Sequence, residues 1–223
     1  MIKNVLTVLL AFFTTTLFGQ TKYGKDPAAF LPAGYKIFET VNGDLNKDGL
    51  ADCVLIIKGT DKANIIKDEY RGEADRNRRG IIVLFKRKHQ YELALKNYNC
   101  FSSENEDGGV YFPPELSVTI SKGNLYIQYS HGRYGYWNYT FRFRTSDFEL
   151  IDYDESSNRG PIVESETSIN FLTKKKRTKE NSNQDPEQES GEEIFKEVWT
   201  NIKIEKPIHL SMIKDFDELD LRY

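Results

Sequence analysis

Apolar and polar residues alternate along much of this chain, a pattern that predicts β-strands. Alternation over 35–41, 80–87 and 91–97 indicates three of them. The run CVLIIKG, Cys53–Gly59, is apolar and rich in β-branched residues, so we expect it to form a buried strand. The charged segment 60–80 lacks a clear period, and we predict an exposed loop there with some helix.

The second half of the chain predicts hairpins closed by short turns. LSVTIS and LYIQYS flank the turn KGN, and after them Tyr139, Phe141 and Phe143 alternate with polar residues. Residues 145–147 then turn the chain into a strand over 148–153. Sequential strands joined by short turns predict an antiparallel meander. The predicted fold class is therefore all-β, mainly antiparallel, a sandwich or a partial propeller-like sheet, with minor helix in single turns after Pro27 and near 211–219.

The last third of the chain adds a charged segment that cannot bury apolar surface. One strand is predicted within ETSINFLTKKK and another within IFKEVWTNIKI, and we expect these two to pair. Between them, residues of about 174–193 run from basic to acidic without a large apolar side chain, which predicts a disordered loop.

The N-terminus predicts export. An early lysine, an apolar run over Val5–Phe18 and small residues after it are typical of a signal peptide, which we place at 1–19. The run is shorter than the roughly 20 residues that span a bilayer, and no later segment is apolar enough to do so. We therefore expect one β-rich domain over 20–223, in the periplasm or outside the cell. That compartment permits a Cys53–Cys100 disulfide, but the sequence leaves this bridge open.

Charge narrows the range of partners. The 223 residues carry a formal net charge of −3, without the basic excess of a nucleic-acid-binding protein. We therefore expect no nucleic acid, and the predicted partner is an unknown protein or glycan.

The segment GDLNKDGLAD, 43–52, has oxygen-bearing residues at alternate positions, as a calcium loop does. Gly49 stands where such a loop turns sharply. An EF-hand is excluded because Leu55 occupies the twelfth position in place of glutamate and a strand follows the loop in place of a helix. The alternative is an Asx-rich turn that holds no metal.

This segment and the apolar strand after it resemble the short calcium loop of FG-GAP or VCBS repeats, which occur in integrin α-subunit propellers and in many exported bacterial proteins. The resemblance covers about Gly43–Ile57, and no second copy of the motif follows, so it implies the loop and not a full propeller. It implies Ca²⁺ as the cofactor, in a role that fastens the loop to the sheet. The implied ligands are Asp44, Asn46, Asp48, Leu50 through its carbonyl, and Asp52.

A second candidate site is the segment SHGRYGYWNY, because exposed aromatic rings beside arginine can stack on sugars or peptides. Its candidate ligand-binding residues are His131, Arg133, Tyr134, Tyr136 and Trp137. The alternative is a hairpin whose rings pack onto the core. The scattered histidines have no zinc spacing.

Motifs of catalysis are missing from the sequence: it has no GxSxG elbow, Walker loop or GxGxxG, and we predict no catalytic residues. The acidic turn SSENEDGG is interpreted as solvated. The predicted function is a non-enzymatic, calcium-stabilised binding or interaction module. The alternative is a carbohydrate-active or other hydrolase that uses carboxylates near the Tyr/Trp hairpin, with Glu115, Asp147 and Glu164 as candidates.

Overall fold

The computed structural model describes residues 22–69, 71–106, 112–183, 193–221 and 223. Within these ranges the chain is built from antiparallel β-sheets, and no helix reaches seven residues, so the predicted all-β class with minor helix is confirmed. In chain order the strands are β1 (Tyr23–Gly24), β2 (Tyr35–Gly43), β3 (Asp52–Gly59), β4 (Ile65–Asp68), β5 (Gly72–Asp75), β6 (Arg79–Arg87), β7 (Gln90–Phe101), β8 (Glu115–Ser121), β9 (Asn124–Ser130), β10 (Gly135–Arg144), β11 (Asp147–Arg159), β12 (Ile162–Asn170), β13 (Lys175–Asn181) and β14 (Phe195–Asn201).

Five strands form the first sheet, in the order β1–β7–β6–β3–β2. Its central strand is β6, and β3 lies between β6 and the edge strand β2. Every residue of β3 except Gly59 is buried, which confirms the buried strand predicted from its apolar run.

Seven strands form the second sheet, and their spatial order, β14–β13–β12–β11–β10–β9–β8, follows the chain order without a crossover. The predicted meander is therefore present and is longer than expected. The KGN turn is tight because Lys122 and Gly123 both adopt positive φ, at 53° and 75°, which suits a two-residue hairpin.

The two sheets pack face to face over one hydrophobic core. Residues of β3, β6 and β7 such as Ile56 and Val83 meet Ile127, Phe141 and Leu150 of the seven-stranded sheet. The C-terminal segment closes this core with four buried side chains, at Leu210, Ile213, Phe216 and Leu221.

A smaller cluster covers the opposite face of the five-stranded sheet. There Phe30, from the single turn Pro27–Phe30, packs on Cys53, Leu55 and Ile57. Asp26 caps that turn by accepting a hydrogen bond from the Ala28 amide at 2.9 Å, and Pro27 at its start needs no donor. The middle strands β3 and β6 are thus buried on both faces.

Both cysteines are free and buried. Cys53 belongs to the smaller cluster and Cys100 to the main core, so their side chains lie in different layers of the molecule. Burial raises the pKa of the Cys53 thiol to about 11, and burial likewise raises the pKa of Cys100. The structure therefore leaves the cysteines as small buried apolar side chains.

Two expectations about the charged segments need correction. Residues 60–80 are not a plain loop, because β4 and β5 pair there as a small hairpin after the turn Lys62–Asn64. Residues 175–181 of the predicted disordered loop form β13, which pairs with β12 and with β14. The predicted direct pairing of the strands on either side of this loop is therefore wrong. Residues 184–192 of the predicted loop lie outside the described residues.

The signal peptide predicted at 1–19 also lies outside the described residues. Among the residues that are described, no helix has the length and apolar character needed to cross a membrane.

Candidate functional sites

The predicted calcium loop connects β2 to β3 and lies where the two sheets meet. Leu45 points from the loop into the main core and is 2% exposed. Gly43 lies directly against Ile120 of β8, so close that a β-carbon there would come within 2.6 Å of the isoleucine. The stem of Lys47 packs beside Gly123 in the β8–β9 turn. The loop therefore contacts both sheets.

Side-chain oxygens of the loop turn inward onto its own backbone. The Asp48 amide donates to Asp44 Oδ1 at 3.2 Å and to Asn46 Oδ1 at 2.9 Å. The Gly49 amide donates to Asp44 Oδ2 at 2.9 Å, and the Leu50 amide to Asp48 Oδ1 at 2.9 Å. Gly49 has φ 84°, the left-handed conformation that favours glycine at the tip of such a turn. Asp44, Asn46 and Asp48 thus converge on one short stretch of chain.

Asp52 anchors the end of the loop. Its carboxylate is fully buried and accepts hydrogen bonds from the Leu45 and Lys86 amides, each at 2.8 Å. Burial raises the pKa of Asp52; the hydrogen bonds from the Leu45 and Lys86 amides oppose this, and the charge of Asp48 adds to it. Asp48 therefore interacts electrostatically with Asp52. It also forms an ion pair with Arg87, whose Nη1 lies 3.2 Å from Asp48 Oδ2.

The donor set of the loop has the chemistry of a calcium site. Carboxylate and amide oxygens are the ligands that Ca²⁺ prefers, and the loop supplies them at alternate positions together with the Leu50 carbonyl. Within the described ranges, no group of three or more His, Cys, Asp and Glu side chains is arranged to hold a metal ion. The carboxylates of Asp44, Asp48 and Asp52 are therefore not gathered around one point, and a Ca²⁺ ion held by this loop would also need the Asn46 amide oxygen and the Leu50 carbonyl oxygen.

The five residues of the Tyr/Trp segment are divided among three places. His131, Arg133 and Tyr134 surround a single turn and line a cavity of about 290 Å³ together with Phe112 and Pro113. His131 Nε2 lies 3.2 Å from the Phe112 carbonyl oxygen, and its ring centroid is 5.3 Å from that of Tyr134.

Trp137 points to the inner side of the seven-stranded sheet. Its ring stacks on Tyr129 with centroids 5.6 Å apart and planes at 19°, and it packs against the main core. Tyr136 points to the opposite side, because successive residues of a strand alternate between faces. These two neighbours in sequence therefore cannot contribute to one patch, and Trp137 takes the packing role that the alternative interpretation gave it.

The carboxylates considered for a hydrolase are not brought together. Asp147 begins β11, whereas Glu164 faces the other end of that strand, about ten residues and so roughly 33 Å away. Glycosidase carboxylates lie at about 5–9.5 Å, so Asp147 and Glu164 do not form such a pair. Glu115 lies on β8, the edge strand of the sheet. Of the acidic turn, Asp107 lies outside the described residues.

The side of the seven-stranded sheet that faces away from the core, here called the outer face, holds a larger feature. Cross-strand pairing aligns its side chains in three rows. The central row is Ser117, Gln128, Asn138, Asp154, Ser168, Arg177 and Trp199. On one side of it lie Glu115, Ser130, Tyr136, Ser156, Glu166, Lys179 and Glu197. On the other side lie Thr119, Tyr126, Thr140, Asp152, Asn170, Lys175 and Asn201.

No aliphatic side chain occurs in these rows, and neither hydrophobic cluster includes a residue from them. Trp199 is 59% exposed and Tyr136 is 38% exposed. The Arg177 guanidinium lies 5.9 Å from the centre of the Trp199 ring, and Lys179 pairs with Glu166 at 2.9 Å. The outer face is thus polar throughout, with aromatic rings set among paired charges.

Electrostatics at the middle of the outer face are dominated by carboxylates. Burial raises the pKa of Asp152 to about 6, and the neighbouring negative charge of Asp154 raises it further. A hydrogen bond from Asn170 partly opposes both effects. The pKa of Tyr136 is raised by burial first and then by Asp154 and Glu166. These side chains therefore interact across three adjacent strands.

The sequence did not reveal the outer face because β13 joins β14 to the rest of the sheet, and the residues of β13 are predicted to lie in a disordered loop. The alternation in FKEVWTN predicts that Phe195, Glu197 and Trp199 share one side of a strand. Whether that side is buried depends on the position of the strand in the sheet, which the alternation does not give. The sequence signal that could have suggested the site is the polar set Glu166, Ser168 and Asn170 at alternate positions of β12.

No protein-family model, curated protein or solved structure matches this chain.

Proposed function

We propose that this protein is an exported, calcium-stabilised binding module, without catalytic activity, that presents the outer face of its seven-stranded sheet to a ligand. The observation that carries the proposal is the composition of that face. A sheet side with no structural duty is usually covered with flexible charged residues, whereas this one holds an exposed tryptophan and tyrosine among paired charges. Exposed aromatic residues beside arginine are characteristic of binding surfaces.

Calcium has a structural role in this proposal. Asp44, Asn46, Asp48, the Leu50 carbonyl and Asp52 would hold the ion, which supplies a compact positive charge between these oxygens. Because Leu45 and Lys47 connect the loop to both sheets, an ion that rigidifies the loop would also strengthen the junction of the sheets. Because these residues lie outside the three rows of the outer face, an ion held by them would take no part in ligand contact.

A melting experiment tests the calcium part. Extracellular calcium modules bind with Kd of roughly 10⁻⁴–10⁻³ M, so Ca²⁺ at about ten times Kd adds about 1.4 kcal/mol and raises Tm by roughly 3–6 °C relative to EDTA. The double variant Asp44→Asn, Asp48→Asn should lose this shift. The matched control Asp26→Asn, which alters a capping aspartate away from the loop, should keep it. A wild-type Tm that is the same in EDTA and in calcium contradicts the calcium part of the proposal.

Retention by envelope material tests the binding part. Labelled protein is passed over an envelope fraction of the producing cell, with the double variant Tyr136→Ala, Trp199→Ala alongside. We expect the wild type to be retained and the double variant to elute freely. The control Phe112→Ala removes a more exposed ring that lies outside the three rows and should behave as wild type. Equal retention of all three proteins would refute the outer face as the binding surface.

A hydrolase is the second candidate, and one observation favours it. Asp152 and Asp154 lie on the same side of β11, and the raised pKa of Asp152, about 6, is that of a carboxylic acid able to donate a proton near neutral pH. In this case the outer face would cleave the ligand that it binds. Release of new reducing ends or new amines from envelope material, abolished by Asp152→Asn, would support the hydrolase over the binding module.

A further inference from the structure

Tyr136 and Trp199 mark two points of one extended surface. Tyr136 lies on β10 and Trp199 on β14, so four strand spacings of about 4.8 Å separate them, roughly 19 Å across the sheet. They occupy neighbouring rows of the same face. A ligand that contacts both rings is therefore an elongated molecule that crosses the strands.

The side chains between the two rings are hydrogen-bonding groups. Asn138 and Asp154 are directly paired across β10 and β11, and Glu166 follows on β12 beside Lys179. Carboxylates accept hydrogen bonds from hydroxyl groups, and an amide both donates and accepts. This set can satisfy a ligand that carries many hydroxyl groups.

Carboxylates outnumber cations on the same surface. The three rows carry five carboxylates, at Glu115, Asp152, Asp154, Glu166 and Glu197, against three cations on β13, at Lys175, Arg177 and Lys179. Because cations are not in excess, the surface offers no strong attraction to a polyanion such as a nucleic acid or to an anionic membrane. Because it has no aliphatic side chain, it also lacks the apolar centre typical of a protein interface.

We propose that the outer face binds an extended, uncharged glycan, with Trp199 and Tyr136 as stacking platforms and Asn138, Asp154 and Glu166 as hydrogen-bonding partners of its hydroxyl groups. The flat rings cover the apolar C–H faces of sugar units at low entropic cost. The carboxylates and the amide fix the orientation of the sugar units between the rings. This assignment rests on the proposed function, for which it names the class of ligand.

Titration calorimetry with size-fractionated neutral oligosaccharides, prepared from polysaccharides of several linkages, tests the assignment. Affinity should rise with chain length until the oligomer spans both rings and then level off. Trp199→Ala and Tyr136→Ala should each weaken binding about tenfold, whereas Trp199→Phe and Tyr136→Phe, which keep a ring, should weaken it no more than about threefold. Phe112→Ala should leave the affinity unchanged.

The outcomes separate the ligand class from the proposed binding function. Loss of envelope retention after periodate treatment, which destroys sugar diols, but not after protease treatment supports a glycan. Loss after protease treatment alone overturns the glycan and makes the ligand a protein or peptide, while the outer face remains the binding surface. Glycan affinity that is unchanged by all four substitutions at Tyr136 and Trp199 overturns the assignment of the ligand to this face.

Discussion

Strands β3 and β14 have nearly the same length and opposite surroundings. In β3, seven of eight residues are buried, and the side chains contribute to both hydrophobic clusters. In β14 no residue is buried, and the strand pairs only with β13 at the edge of its sheet. The sequences differ accordingly: CVLIIKG is continuously apolar up to its lysine, whereas FKEVWTN mixes charges with two aromatic rings.

Under the proposed function, this difference separates the residues that stabilise the molecule from those that bind its ligand. Strands β3 and β6 of the five-stranded sheet are held by apolar burial on both faces, which tolerates little change. The far strands of the seven-stranded sheet are held by their backbone ladder and by surface pairs, so their side chains can be chosen for a ligand. Lys196 and Glu197 on β14 also hinder a second chain from pairing with this free edge.

The contrast between β3 and β14 is tested most directly by truncating one apolar side chain in each strand. Ile56→Ala opens a cavity in the main core and should cost about 3 kcal/mol of unfolding free energy. Val198→Ala removes a side chain that is 43% exposed and should change it by less than about 0.5 kcal/mol. Urea unfolding monitored by circular dichroism measures both. Similar costs at the two sites would show that β14 is packed as tightly as β3, against the separation argued above.

A second test compares two lysines that pair with carboxylates. Lys58 is 1% exposed, and its ammonium group contacts the Asp75 carbonyl at 3.1 Å, the Asp75 carboxylate at 3.1 Å and the Glu104 carboxylate. Lys58→Met removes the ammonium group that these acceptors share and leaves the Asp75 and Glu104 carboxylates without its charge, so it should cost about 2–3 kcal/mol. Lys179→Met breaks the pair with Glu166 at the surface and should cost less than about 1 kcal/mol.

The same unfolding assay decides the second test. If Lys58→Met is neutral or stabilising, the cost of burying the ammonium group outweighs its contacts, and the polar end of β3 does not help to hold the five-stranded sheet together. If Lys179→Met costs as much as Lys58→Met, the charged pairs of the outer face stabilise the fold, and this would count against their being selected for ligand binding.

How far the sequence predicts the fold differs between these two regions. β3 could be predicted because its continuous apolar run fits one environment, the centre of a sheet. β13 could not, because KKRTKEN has no apolar side chain to bury and resembles a disordered segment. It is ordered by hydrogen bonding to strands on both sides, a tertiary effect that local composition does not contain.

The candidate site shows the same limit. The period of two in a strand already implies that Tyr136 and Trp137 point to opposite sides, so a single patch containing both could have been rejected from sequence. Which side is solvent-exposed depends on the packing of the two sheets. The sequence could not predict that Trp199 and Tyr136 lie on the same face. Their alignment depends on the register of β10 through β14, which is set by four successive strand pairings.

The smallest expected effect concerns pH. The folded pKa of Asp152 is about 6, above its ordinary value of 3.8, so the native state binds more protons than the unfolded state between these values. The ionised carboxylate therefore costs stability above about pH 6, and this cost disappears as the pH falls toward 4. Because Asp152 is only half-buried, solvent screening reduces the cost to about 1 kcal/mol.

Asp152→Asn should thus be more stable than wild type by about 1 kcal/mol at pH 7.5 and equal to it near pH 4. Asp75, which contacts Lys58, provides the contrasting case. Burial alone would raise its pKa, but hydrogen bonds from Asn77 and Lys58 lower it to about 2. Asp75→Asn should therefore be less stable than wild type at neutral pH, and the difference should vanish only as the pH falls from about 4 toward 2. Urea unfolding over this pH range measures both differences. A loss of stability in Asp152→Asn at pH 7.5 would mean that the Asp152 carboxylate stabilises the fold as Asp75 does, and that it is not a destabilising group kept for the proposed binding face.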